Sequence, residues 1–201
     1  MLEIKALQYR HLGPFSFVVG CGHCTGLSGP SGAGKSLLLR ALCDLDAWTG
    51  SITLKGISPA AVSAPAWRKR IGYMPSESHW WHETVQPHFN SDIGHQYLHQ
   101  LGFEADVMHW AISRLSTGER QRLALLRLLS NLPEALLLDE PTAHLDRDMV
   151  SRAEHLISTY RQEQDVPVLW VSHDREQLSR VAESLLLLDR GSLVPEVAAW
   201  M

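Results

Sequence analysis

The sequence predicts an α/β fold: a parallel sheet covered by helices on both faces. Three observations predict it. Short, uniformly apolar runs alternate with helical stretches, as in strands buried on both sides. A glycine-rich loop, "GPSGAGKS", follows one such strand and opens a helix. An acidic pair closes a later apolar run, in "ALLLDE". With 201 residues and 45% hydrophobic content, one substantial core with a small inserted lobe is expected.

The elements follow in order. "LEIKALQY" alternates and reads as a strand, "FSFVV" as a second, and "CTGLS" as a third that runs into the glycine loop. "SLLLRALCDL" is a helix and "SITLKG" a short strand stopped by glycine. "PAWRKRIGYMP" is a short helix or turn, then a strand. Residues 79–114 differ in texture: tryptophan and histidine are frequent, "VQPHFN" holds a proline, and "IGHQYLHQLGF" has helical spacing. This stretch is expected to be the small helical lobe. "TGERQRLALLRLLSNLP" is a helix ended by proline, and "EALLLDEP" a buried strand. "RDMVSRAEHLISTYRQEQ" is a helix, "VPVLWVSHD" a strand, "REQLSRVAE" a helix, and "SLLLLDRGSLVPE" a closing hairpin.

Composition excludes several classes. The formal net charge is -4 with no basic block, so no nucleic-acid partner is expected. Three cysteines suggest neither a disulfide framework nor secretion. The start lacks a signal peptide's layout. The longest uncharged run, residues 12–34, is broken by glycines, a proline, serines and a histidine, a poor membrane span.

The loop Gly29, Pro30, Ser31, Gly32, Ala33, Gly34, Lys35, Ser36 and Leu37 carries the spacing G-x-x-x-x-G-K-[ST]. Its glycines let successive amides face one anion, and the following helix N-terminus adds unpaired N–H groups. Lys35 is expected to reach the β and γ phosphates and Ser36 to ligate magnesium. Asp139 ends an apolar run where it can hold the magnesium shell. Glu140 is placed to polarise a water for in-line attack on the γ phosphate.

Together with these motifs, "LSTGERQR" resembles the signature loop of the ATP-binding subunits of ABC transporters, usually written LSGGQ. "AHLD" resembles the family's D-loop and "SHD" its switch histidine. The resemblance covers nearly the whole chain. It implies a P-loop ATPase of ABC type, a single domain over 1–201. The parallel core sheet would carry an N-terminal antiparallel β subdomain and the inserted lobe at 79–114. It implies ATP and Mg2+ as cofactors and a head-to-tail pair of nucleotide domains. Leu115, Ser116, Thr117, Gly118 and Glu119 would face the partner's ATP. Glu140 would be the general base, Lys35 and His173 would act on the γ phosphate, and Asp146 would couple the two sites. Losing one transition-state donor costs about 3 kcal/mol, so Lys35 or Glu140 substitution should nearly abolish turnover.

Two residues depart from the family pattern. Ser76, with Glu77 beside it, stands where a glutamine usually senses magnesium. Thr117 replaces a signature glycine, and a β-branched residue restricts a loop. Both suggest slower hydrolysis. For the adenine, Tyr9, His11 and Phe15 are candidates; Tyr9 is favoured, and Phe15 fits a core strand better.

A transport role needs a separate membrane permease and attachment at the cytoplasmic face. The lobe would receive the permease, and Trp80 and Trp81 either anchor it or pack the lobe. The segment "RQEQDVPVLWVSHDREQLSRVAESLLLL" resembles the small iron-export subfamily. A soluble ATP-driven clamp and an ATP-binding switch with weak hydrolysis are the rival readings. His79, His82 and His88 have no spacing that imposes a metal. "CGHC", with Cys21 and Cys24, lies between two strands with no helix to activate a thiol. Cys43 reads as a small core residue.

Overall fold

Alternation along each apolar strand sends successive side chains to opposite faces, and both faces are covered. The computed structural model describes residues 1–90 and 97–196. Two sheets organise it. β1 (Leu2–Tyr9), β2 (Leu12–Val19) and β4 (Trp48–Leu54) form an antiparallel sheet in the order β2-β1-β4. The second sheet runs β5-β6-β7-β3-β8-β9. Its strands are β3 (Cys24–Ser28), β5 (Ile71–Met74), β6 (Ala135–Asp139), β7 (Val168–Val171), β8 (Ser184–Asp189) and β9 (Ser192–Glu196). All pairings are parallel except the final β8–β9 hairpin.

Among the described residues five α-helices lie on these sheets: α1 (Lys35–Leu42), α2 (Ala64–Arg70), α3 (Thr117–Leu129), α4 (Arg147–Glu163) and α5 (Arg175–Val181). Leu136, Leu138, Val168 and Trp170 pack with Leu123 and Leu126 of α3 and Leu156 and Tyr160 of α4. Their neighbours Ala135, Leu137, Leu169 and Val171 face the other way, into a core with Leu38, Leu39 and Leu42 of α1 and Ile4 and Leu7 of β1. Each fully buried leucine contributes about 1.5–3 kcal/mol, so the sheet is fastened from both sides.

The register sets the site. Leu27 of β3 and Asp139 of β6 both pair with Val171 of β7. The chain leaving each of these strands therefore emerges at one edge of the sheet, the carboxyl edge where parallel sheets bind ligands. Among the described residues no helix is long and apolar enough to cross a membrane.

Residues 79–114 differ from the expectation of regular helices. Their described part holds single 3-10 turns at Gln86–His88, His99–Leu101, Ala105–His109 and Ile112–Arg114. "IGHQYLHQLGF" lies partly outside the described residues. Within it, the turn at His99–Leu101 stops at Gly102, whose φ of 74° is left-handed. Side chains hold the stretch instead. His88 Nε2 accepts from the backbone N–H of Trp81 and of His82, both at 3.0 Å.

Candidate functional site

The glycine loop leaves β3 and closes onto the N-terminus of α1. Gly29 and Gly34 have φ of 145° and 102°, conformations that L side chains resist. A Cβ at Gly29 would lie 2.2 Å from Leu188 O, and one at Gly34 2.4 Å from Leu12 Cδ1. Gly29 therefore demands glycine for conformation and for space, and Gly34 for conformation, since the end of the Leu12 side chain can shift. Lys35 Nζ folds back and donates to Gly29 O at 2.7 Å and Pro30 O at 3.0 Å. Ser36 opens the helix beside Asp139, and their side chains hydrogen-bond.

Asp139 is buried, and burial pushes its carboxyl pKa up, against the pull of the Ser36 hydroxyl and the Lys35 cation. Glu140, the next residue, takes a left-handed φ of 50°. That conformation costs about 1–2 kcal/mol for a residue with a Cβ. Three hydrogen bonds hold it: Glu140 N–H to Val171 O at 3.1 Å, Ala143 N–H to Glu140 O at 3.2 Å, and Gln121 Nε2 to Glu140 O at 3.2 Å. The turn aims Glu140 Oε2 at His173 Nδ1, 3.0 Å away. His173 itself is exposed. A cleft of about 160 Å³ runs between Gly29–Pro30 and Ser172–His173.

Ser116 caps α3. Its Oγ accepts from Glu119 N–H at 3.2 Å, and Glu119 Oε2 accepts from Ser116 N–H at 2.8 Å. These bonds to Ser116 hold the Glu119 carboxyl below its ordinary pKa. Thr117 is the first helical residue, exposed, and outside the left-handed region, so its branched side chain meets no conformational demand for glycine. A Cβ at Gly118 would lie 3.0 Å from His144 O, so α3 begins hard against the "AHLD" turn. Asp146 caps α4, accepting from Met149 N–H at 3.0 Å.

Ser76 and Glu77 are exposed and follow β5, whose Met74 registers with Leu138; they leave the sheet at the edge that carries Asp139. Tyr9, expected under the adenine, offers no face for a base. It is 2% exposed, its ring packs on Phe15 at 5.7 Å, and its hydroxyl donates to Gly34 O at 3.3 Å. It supports the loop from below. Phe15 is buried in the core, while His11 is exposed. The three cysteines are free. Burial pushes the Cys24 thiol up to about 12, the reverse of a reactive thiol.

Sequence reasoning missed Gln121 and Gln177. Both are buried polar residues, on α3 and α5. Gln177 Nε2 donates to Thr142 Oγ1 at 2.8 Å and to Glu154 Oε1 at 2.9 Å, bracing the turn after Glu140. Only packing distinguishes such glutamines from surface ones.

Comparison with known proteins gives the same picture. The family model described as "ABC transporter" matches residues 12–143. The chain is 28% identical over 204 residues to the probable iron export ATP-binding protein FetA of Escherichia coli (strain K12), spanning 93% of this chain and 91% of that one. It is 34% identical to the molybdenum import ATP-binding protein ModC of Hahella chejuensis (strain KCTC 2396), over 94% of this chain but 58% of that one. A solved structure titled "Structure of ATP binding subunit of ABC transporter" superposes with a TM-score of 0.84 at 21% identity, over 96% of this chain and 89% of that one. Its fold is the fold found here. The chain belongs to the ABC transporter family, as an ATP-binding subunit of ATPase type.

Proposed function

We propose that this chain, acting over 1–201 as one unit with 79–114 as its inserted lobe, hydrolyses ATP to ADP and phosphate within a head-to-tail pair. The pair powers movement of a cargo through a separate membrane permease. The observation that carries the reading is the 3.0 Å contact between Glu140 and His173 at the edge where the glycine loop emerges. The loop amides and Lys35 would grip the phosphates. Glu140 would take a proton from the attacking water as the bond to the β–γ bridging oxygen breaks. The His173 Nδ1 contact with Glu140 would leave Nε2 for the γ phosphate. Ser116 and Gly118 of the second copy would close over the same phosphate, and Asp146 would link the two sites. Of the three aromatic candidates His11 is the exposed one, and it would take the adenine.

The residues fit magnesium. Ser36 and Asp139 are hydrogen-bonded hard oxygen donors, which suits an ion that keeps most of its remaining ligands as water and phosphate. Bound there, magnesium would neutralise charge on the phosphates. Attachment at the cytoplasmic face of the membrane follows from the transport reading. Iron export is the finer reading of the cargo, supported by similarity over nearly the full length of FetA.

Two measurements test the function. Purified protein should turn over ATP with a need for magnesium; absence of turnover overturns the ATPase assignment. Tagged protein isolated from membranes should carry one integral membrane protein in fixed ratio. Recovery with soluble partners only would favour a clamp instead. Cellular iron rising on deletion would support iron export, and unchanged iron would remove it.

A further inference from the structure

A cavity of about 380 Å³ lies between α4, α5 and the chain entering β3 and β8. Small-molecule sites run from about 300 to 1,000 Å³. The phosphate loop leaves the opposite end of β3, so this cavity is apart from the nucleotide edge. Ser151, Glu154, Ser158 and Arg161 recur at three- and four-residue steps along α4, and one face of that helix lines the space.

Two buried donors in its wall lack an acceptor. Trp170 is 1% exposed and Arg161 7% exposed. Trp170 Nε1 and Arg161 Nε have no hydrogen-bond partner among the described residues. Native interiors leave few such groups unpaired, and one that stays unpaired marks a missing partner. The charges beside them are already matched. Arg161 Nη1 donates to both Glu183 carboxylate oxygens at 2.6 Å, and Arg180 Nη2 donates to Glu154 Oε1 at 3.1 Å. The wall therefore lacks an acceptor and not a charge. A carboxylate would have to compete with Glu183 for Arg161, and a cation would bring no lone pair. A neutral carbonyl oxygen offers two lone pairs and leaves the charge balance alone.

The cavity is also connected to the carboxyl edge of the sheet. Glu154 Oε1 accepts from Gln177 Nε2 at 2.9 Å, and the same Nε2 donates to Thr142 Oγ1 at 2.8 Å. Thr142 lies in the turn closed by the Ala143 N–H bond to Glu140 O. Glu154 thus ties a wall of the cavity to the turn that carries Glu140. We propose that this cavity is a regulatory site for an uncharged small molecule whose carbonyl oxygen is held by Trp170 Nε1 and Arg161 Nε. Occupancy displaces Arg180 and Glu154, loosens the hold of Gln177 on Thr142 and slows the reaction at Glu140. The regulatory half rests on the proposed role of Glu140; the binding half does not.

Nitrogen–proton correlation spectra of the intact chain test it, with benzamide as the probe and benzoate and benzamidine as charged controls. The Trp170 indole signal is identified by its loss in Trp170→Phe. Benzamide should move that signal downfield along a saturable curve, and neither control should. ATP turnover should fall at least twofold as the curve saturates. Gln177→Met keeps the length of the side chain and removes the relay. In that variant benzamide should still move the Trp170 signal, and turnover should no longer respond. No saturable shift with benzamide means that water alone fills the cavity and overturns the proposal; an equal shift with benzoate overturns the neutral class of ligand. A saturable shift with unchanged turnover overturns the regulatory role, and a response that persists in Gln177→Met overturns the relay. A chain that hydrolyses no ATP even without benzamide removes the regulatory half together with the ATPase reading, while the indole shift still decides the binding.

Discussion

The carboxyl edge of the parallel sheet and the stretch 79–114 are built on opposite plans. At the edge, backbone ladders fix where the chain emerges, and the residues that follow are short turns between rigid elements. In the stretch 79–114, the described residues form single 3-10 turns joined by a lone bridge between Thr84 and Ala111. Two side chains, His88 and Arg127, organise its aromatic rings. The difference teaches where each region is vulnerable. Under the proposed function the edge would fail when Glu140, His173 or a loop glycine is altered. The stretch fails when a single buried polar side chain loses its partners.

The largest effect should follow from Glu140→Gln. A general base is worth about 10²–10⁴ in rate, so steady-state turnover should fall by that range while nucleotide binding, measured by calorimetry, survives. His173→Ala should cost about 10²-fold, the size of a lost transition-state donor, again with binding kept. Equal loss of binding in either variant would mean that the edge is a folding element rather than a reacting one.

His88→Leu probes the other plan. It strips the acceptor from two backbone N–H groups, each costing about 1–3 kcal/mol when buried and unpaired. Protection from hydrogen exchange over 80–89 should drop while turnover of the detached chain holds. Acid should do the same in the wild type. Burial, with Arg127 and His82 nearby, pushes the His88 pKa down, against the Thr84 and Val85 carbonyls. The folded state therefore binds this proton less readily than the unfolded chain. The stability is present above the unfolded pKa of about 6.5 and is lost as pH falls through it toward the folded value. Exchange across 80–89 that does not change between pH 7.5 and 5.5 would contradict this. The smallest effect should be that of Tyr9→Phe, which removes one hydrogen bond under the loop, worth about 1 kcal/mol, and should lower the melting temperature slightly.

Much of the edge was legible in the sequence because its chemistry is local. Glycine spacing, a strand ending in acids and a histidine after a buried strand are all read within a few residues. The antiparallel sheet joins β1 to β4 across some forty residues, and it came from family resemblance rather than from pattern. Tyr9 misled because alternation along β1 does not say which face a helix will cover. Gln121 and His88 were illegible for a related reason. Their roles depend on burial by distant elements, and a lone glutamine or histidine has no periodicity of its own. In the described part of 79–114, the turn at Gln86–His88 gives way to extended backbone at Phe89 and the turn at His99–Leu101 stops at the left-handed Gly102.

Helix α3 touches more than its own surroundings. Its first turn carries the Ser116 cap, its second sends Gln121 to the carbonyl of Glu140, and its last turns carry Arg127 beneath the tryptophans. Thirteen residues at 1.5 Å each make a rod about 20 Å long. In the proposed assembly one end of that rod presses on the neighbour's nucleotide and the other on the membrane protein, with its own water-activating group hung from the middle. A tilt of a few degrees would register at all three stations together. The helix would then serve as the crankshaft of the machine, and Gln121 as its bearing.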